Sequence, residues 1–435
     1  MISQATRGLL SLCLLAFLPL AASAQVNVES EEPDEPDEED EIMVTDQKGN
    51  EEVIEFPEAM TYDLDSLLNL YMSQTYLDSE DCNMRDVNPE YSKEEYISRL
   101  SRIPAVMEMA YNEVVQKFID RYTGRLRHSV SYLLGASNFY MPIFEEALEA
   151  YQLPLELKYL PIIESALNPK AVSHAGAAGL WQFMIGTGKQ YGLQVNSLVD
   201  ERRDPIKSSY AAARYLSDLY RIFGDWNLVI AAYNCGPENI NKAIHRAGDN
   251  NKDYWHIYPY LPRETRGYVP AFIAANYIMT YYSLHNICPM STRLPAKSDT
   301  VMIRRDLHLE QVAQVVGINI DLLRSLNPMY RRDRIPGATE PYALRLPQTE
   351  VGTFLDKENE VYTYKVDELL AKRTEVDIND DVPTYYHKSK RYLKRHARYK
   401  RGHKSRVGRK SGYSKRRSSA SKRRSKGRKR SRRRR

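Results

Sequence analysis

The chain has 435 residues, of which 42% are hydrophobic and 27% charged. That balance fits one to three globular domains with a sizeable core. No run of eighteen apolar residues occurs beyond residue 24, so the mature sequence offers no transmembrane helix. The formal net charge of +5 conceals a segregation: 26 Lys and Arg and no acid fall between residues 388 and 435, leaving 36 basic against 57 acidic residues elsewhere. Residues 29–58 hold 15 acids and one Lys.

The N-terminus comes first. Arg7, the apolar run 8–20 and Ala22-Ser23-Ala24 have the form of a secretory signal over residues 1–24, with Gln25 as the first mature residue. A membrane anchor is the competing reading, and the run is short for a span. Leu12 before Cys13 makes a poor lipid-attachment box. Export to the periplasm or cell envelope is expected, with membrane association left open. Losing Cys13 leaves Cys82, Cys235 and Cys288. One bridge is then possible, and the sequence does not choose the pair. Without a CxxC or HExxH motif, and with nine His at no ligand spacing, the sequence supports no metal site. Gly186-Thr187-Gly188-Lys189 is followed by Gln190 rather than Ser or Thr, so a phosphate loop is rejected. No cofactor is expected.

Residues 25–60, rich in Glu, Asp and Pro, are expected to be disordered for want of apolar groups to bury. Residues 61–150 turn helical. In 111–119 apolar groups recur at steps of three and four. Helices are also expected over 131–134 and 142–151, the latter with Pro142 in its first turn. Residues 151–290 show little period-two alternation and read as an all-α domain. Asp204 and Pro205 open a helix to Tyr220, as N-cap and first residue. Asp225 caps a helix over 226–233, stopped by Gly236-Pro237. Residues 299–347 change character: strand 300–303, helices 309–317 and 320–326, strand 342–346. That is a β-α-α-β unit. Residues 348–387 read as a linker, and 388–435 as a disordered basic tail.

The chemistry centres on Glu164. Residues 153–168 read as one helix ending before Pro169, with Leu160, Ile163 and Leu167 toward the core. Pro161 inside it would leave the Leu157 carbonyl without its usual donor and bend the helix to present Glu164 at a cleft. Ile162, Ile163, Ala166 and Leu167 surround Glu164 in sequence, and apolar surroundings raise a carboxyl pKa. A carboxyl protonated near neutral pH is what a glycosidic general acid requires. The plainer alternative is a solvated Glu on an amphipathic helix, and that reading is kept for Glu156. In 172–184, small residues precede Trp181, Gln182 and Phe183. The amide of Gln182 can bond sugar hydroxyls or acetamido groups, and the two aromatics offer apolar faces.

Four segments, in order, carry a resemblance: Glu164-Ser165; Gly179-Leu180-Trp181-Gln182-Phe183-Met184; Ala232-Tyr233-Asn234-Cys235-Gly236; and Glu264-Thr265-Arg266-Gly267-Tyr268-Val269-Pro270. Over residues 95–285 the chain resembles the lytic transglycosylases with a goose-type-lysozyme-like fold, of the membrane-bound murein D type. Residues 299–347 resemble a LysM module through Asp306-Leu307-His308-Leu309 and Leu323-Arg324-Ser325-Leu326-Asn327-Pro328. Arg305-Asp306-Leu307-His308 stands in place of the usual Gly-Asp-Thr-Leu.

The resemblance implies a mainly α protein, with a lysozyme-like helical catalytic domain and a small β-α-α-β module. It implies glycan strands of peptidoglycan as substrate. Glu164 would act as acid and then base, and Ser165, Ser173, Gln182, Met184, Tyr233, Asn234 and Tyr268 would line the cleft. Tyr268 would orient Glu164. Cys235 stands where the family has a small residue and is expected to pack as one.

Two readings compete: a non-catalytic wall-binding protein, and a polyanion-binding protein acting through its tail. A signal peptide routes the chain away from nucleic acid, so no nucleic-acid partner is expected. The tail is expected to bind anionic envelope polymers or to fold back on the acidic leader.

Overall fold

The computed structural model describes residues 42–45, 51–61, 87–248 and 252–371. The expected signal 1–24, the basic tail 388–435, Cys13, Cys82 and much of the acidic leader lie outside them.

A buried helix forms the centre. Residues Tyr268–Tyr281 make a helix whose side chains are buried from Tyr268 through Met279. A helix apolar on every side belongs inside a core, and this one packs against Glu113–Thr123. The latter begins at Asn112, whose side chain accepts from the Val115 amide. It buries Val114, Val115, Phe118, Ile119 and Tyr122, the stripe expected from 111–119. Pro205–Phe223 is capped as expected: Asp204 Oδ1 accepts from the amides of Ile206 and Lys207 at 2.9 and 3.0 Å. It runs three residues past Tyr220 to Gly224, whose φ of 69° closes the end. Asp225 caps Trp226–Cys235 through the Leu228 amide, and Pro237 opens the next helix, Pro237–Ala247.

Four expectations are corrected here. The pieces 131–134 and 142–151 belong to one helix, Arg127–Ala150, with Pro142 in its interior. Burial of Tyr140, Phe144, Ala147 and Leu148 on both sides of the proline outweighs the single hydrogen bond it removes. Helix 153–168 is instead a 3-10 turn, Leu155–Tyr159, then a short α-helix, Leu160–Ser165.

The acidic leader is ordered at its end. Ile42–Thr45 pairs antiparallel with Glu51–Ile54, and the turn Glu58–Thr61 follows. Ile54, Ala59 and Met60 are buried in the main core. Phe56 meets Phe118 edge-on at 5.3 Å, and the Arg121 guanidinium lies 3.7 Å from the Phe56 centroid. A handful of apolar residues at the end of an acidic run suffices to anchor it.

The fourth correction concerns the linker. Helices Val351–Asp356, Glu358–Thr363 and Val366–Leu369 occupy its first part, and Phe354, Val361 and Tyr362 enter the second core. Gln311 Nε2 also donates to the Tyr364 carbonyl at 2.9 Å.

The small module is built as expected, with additions. Ser298–Ile303 pairs antiparallel with Tyr342–Pro347, Val301 opposite Leu344. A second ladder joins Asp306–His308 to Arg334–Pro336. Helix Leu309–Val312 continues as a π turn to Gly317, and Ile320–Leu326 follows. Ile303, Leu307, Leu309, Val312, Leu323 and Leu344 fill its core.

Among the described residues no helix is long and apolar enough to cross a membrane. Cys235 is a free thiol. Cys288 is disulfide-bonded.

Candidate active site

The carboxylate Glu164 sits one residue before the end of a helix of six residues. Pro161 lies in its first turn, where its missing amide hydrogen is no loss. The Leu157 carbonyl, expected to lack a donor, accepts from the Leu160 amide of the preceding 3-10 turn. The chain then turns abruptly: Ala166 and Leu167 have φ of 48° and 58°, and both are buried. Left-handed backbone costs a non-glycine residue roughly 1–2 kcal/mol. Two such residues in succession concentrate strain immediately after Glu164-Ser165, a pattern typical of functional sites. This turn, not a proline kink, ends the helix where it presents Glu164.

Tyr268, at the start of the buried central helix, donates its hydroxyl hydrogen to Glu164 Oε1. Burial pushes the Glu164 carboxyl up to about 8; the Tyr268 hydrogen bond works against that rise, and the charges of Glu264 and Glu58 add to it. Burial and the facing Glu164 in turn push the Tyr268 phenol well above its ordinary range. Glu58 belongs to the leader expected to be disordered, so its closeness to the site was not foreseen. The signal was there in Val53, Ile54, Phe56 and Met60, apolar residues interrupting the acids.

The remaining candidates divide by placement. Ser165 is fully buried. Its hydroxyl lies 3.0 Å from the Pro161 carbonyl and 2.9 Å from that of Leu180, tying the helix to the 172–184 segment instead of facing a cleft. Tyr233, half-buried, donates to the Trp181 carbonyl at 2.8 Å. Its ring lies 5.2 Å from that of Tyr215. Burial and the nearby Glu164 raise the Tyr233 pKa well above its ordinary value. Asn234 Oδ1 accepts from Thr265 Oγ1 at 2.8 Å, joining the third and fourth motifs. Ser173 Oγ accepts from the Ala177 amide at 3.0 Å. Met184 is 45% exposed, a large apolar side chain in solvent.

Gln182 has φ 47°, and its Nε2 donates to the carbonyls of Gly179 at 2.7 Å and Ala171 at 3.3 Å. Its donors brace its own turn. Trp181 and Phe183, expected to offer faces to a ligand, are buried; the Trp181 indole donates to Ser209 Oγ at 2.9 Å. Alternation along this tight turn sends the aromatics inward and leaves Gln182 and Met184 on the other side. Glu156, assigned to the surface, is also buried, accepting from the amides of Val106 and Met107 at 2.7 and 2.8 Å. Burial pushes the Cys235 thiol up to about 11, so it packs as a neutral group.

Comparison with known proteins gives this arrangement a relation. Residues 141–256 match the family model described as "Transglycosylase SLT domain". Residues 297–363 match "Lytic transglycosylase MltD, LysM-like domain". The chain is 36% identical over 204 residues to membrane-bound lytic murein transglycosylase D of Escherichia coli K12, covering 45% of this chain and 43% of that protein. It is 40% identical over 98 residues to a putative tributyltin chloride resistance protein of an Alteromonas strain, covering 22% of this chain and 47% of the other. Among solved structures, the 70 kDa soluble lytic transglycosylase of Escherichia coli aligns with a TM-score of 0.32 at 26% identity, over 40% of this chain and 29% of that one. The chain thus spans less than half the length of the curated relatives it matches. The similarity is therefore to two modules in tandem, a transglycosylase SLT domain over residues 141–256 and an MltD-type LysM-like domain over residues 297–363.

Proposed function

We propose that the chain is a peptidoglycan lytic transglycosylase that cleaves the β-1,4 bond between N-acetylmuramic acid and N-acetylglucosamine. The observation that carries the reading is the state of Glu164: a carboxyl pushed up to about 8 by burial and partnered by Tyr268. At neutral pH it holds the proton that the leaving oxygen must receive. After giving it up, the carboxylate is stabilised by the Tyr268 hydroxyl and can take a proton from the C6 hydroxyl of the muramoyl sugar. That oxygen attacks C1 and closes a 1,6-anhydro ring. Proton count balances: one proton goes to the departing glycan, one returns to Glu164, and no water is consumed. An internal hydroxyl already at hand replaces an activated water, so one carboxylate does the work of the usual two. Between Glu164 and Val199 the sequence holds no other Asp or Glu.

Gln182, Met184, Ser173, Tyr233 and Asn234 are proposed to line the sugar subsites beside Glu164, and Ser165 to act from behind by fixing the helix to Leu180. Export to the envelope, cleavage of the signal after Ala24 and binding of anionic polymers by the tail belong to the same reading. Purified sacculi digested by the full chain and analysed by mass spectrometry should yield anhydro-ended muropeptides, and Glu164→Gln should yield none. Reducing ends in place of anhydro ends would make the enzyme a hydrolase. Equal products from Glu164→Gln would remove Glu164 from the chemistry.

A further inference from the structure

At the seam between the SLT domain and the LysM-like domain lies Asp200, fully buried. Arg202 grips it twice, Nε to Oδ1 at 2.9 Å and Nη2 to Oδ2 at 2.8 Å. Arg331, from the LysM-like domain, reaches the same Oδ2 at 3.4 Å, and Arg203 Nε lies 3.8 Å from it. Backbone pairing closes the seam. The Asp200 amide donates to the Met329 carbonyl at 2.9 Å and the Arg331 amide to Leu198 at 2.8 Å, with Val199 bridged antiparallel to Tyr330. Val199 is buried in the core of the LysM-like domain, not in that of the helical domain. Tyr342 also donates to Gln194 Oε1 at 3.2 Å. Two domains on a loose tether share no such core residues.

The other end of Arg202 faces the site. Its Nη1 donates to the carbonyls of Gly176 at 2.9 Å and Phe183 at 3.1 Å, either side of the turn carrying Gly179 and Gln182. Gly179 has φ +85°, and a Cβ there would lie 1.9 Å from the Arg202 carbonyl oxygen. The turn therefore rests directly on Arg202.

We propose that the LysM-like domain is a working wall of the catalytic cleft: Arg331 is a positioning residue that, through Asp200 and Arg202, sets the 171–184 segment bearing Gln182 and Met184. The bidentate grip fixes the guanidinium plane, and Arg331 and the Val199–Tyr330 pairing shield that grip from water. Shifting a substrate-holding segment by a fraction of an ångström is felt in turnover. This inference rests on the proposed function of the cleft.

The test uses the full chain and a soluble peptidoglycan tetrasaccharide as substrate, with kcat and KM measured separately. Arg331→Ala should lower kcat about tenfold or more with KM within about twofold, and Arg331→Lys should restore most of it. Amide hydrogen exchange at residues 176–183 should quicken in Arg331→Ala. Arg331→Gln is measured alongside, to stand in should circular dichroism show Arg331→Ala unfolded. Unchanged kcat with weakened binding to insoluble sacculi would overturn the proposal and make the domain a tether only; so would exchange at 176–183 equal to wild type. If wild type does not cleave the tetrasaccharide or sacculi, the proposed function fails instead, and hydrogen exchange still decides whether the seam reaches the turn.

Discussion

Two carboxyl groups, the half-buried Glu164 and the fully buried Asp200, lie in regions that treat the same chemical group in opposite ways. Burial disfavours the charge of both. At the seam, hydrogen bonds and charge from Arg202, with Arg203 and Arg331 beside it, outweigh burial and hold Asp200 below the ordinary carboxylate range. At the candidate site, a neutral phenol faces Glu164, and two further carboxylates, Glu264 and Glu58, work in the same direction as burial. One group is kept ionised as an anchor, and the other, the proposed acid, is kept protonated. The difference comes from the neighbours, not from the depth of burial.

The comparison can be broken at either end. The largest effect should come from Glu164→Gln, which keeps the shape and removes the transferable proton. Turnover should fall by about three orders of magnitude or more, measured as release of soluble muropeptides. Next, Asp200→Asn leaves the guanidinium groups facing a neutral amide and should cost about 3 kcal/mol in chemical denaturation. Because Asp200 is held below its unfolded value, this stability is present above the ordinary carboxylate range and is lost as pH falls through the lowered value. The gap between wild type and Asp200→Asn should therefore narrow in acid.

Glu164 has the opposite sign. Its folded value is raised, so the native protein keeps a proton that the unfolded chain releases. Stability from this group is intact below the unfolded value near 4.5 and is lost as pH rises to about 8. Glu164→Gln should stabilise the fold increasingly across that window, by a few kcal/mol at its upper end, read by melting temperature against pH. An excess of stability that does not vary with pH would contradict the assignment.

Smaller still is Gly267→Ala. A Cβ there would lie 2.5 Å from the Glu55 carbonyl oxygen and 3.1 Å from Ile54 Cγ2, so it should cost about 1–3 kcal/mol and quicken amide exchange over 51–61. Finally, Tyr268→Phe removes the hydrogen bond that moderates Glu164. The alkaline limb of kcat/KM should move upward in pH, while an unchanged limb would detach Tyr268 from the acid.

Much of the helical architecture could be read from local chemistry. Asp204-Pro205, Asp225 and the 113–123 stripe act within a few residues of themselves, and the structure agrees with each. What could not be read depended on partners distant in the chain. The leader orders because Ile54 and Met60 meet the core, and 351–369 fold because Phe354 and Val361 do. Pro142 stays inside a helix because burial on both sides outweighs it. At the site, Glu164 was legible from its apolar neighbours, but the left-handed pair Ala166-Leu167 that presents it was not. Trp181 and Phe183 resemble ligand platforms in sequence; only a turn at Gln182 with positive φ turns them inward. Asp200 carried no signal, since its importance lies in Arg331, 131 residues away.

The central claim is that Glu164 carries a proton at neutral pH. Carbon-13 NMR titration of glutamate-labelled protein, with Glu164→Gln used to assign the resonance, measures it directly. The account predicts a carboxyl that titrates near 8. A resonance that titrates near 4.5 in the folded protein would contradict it.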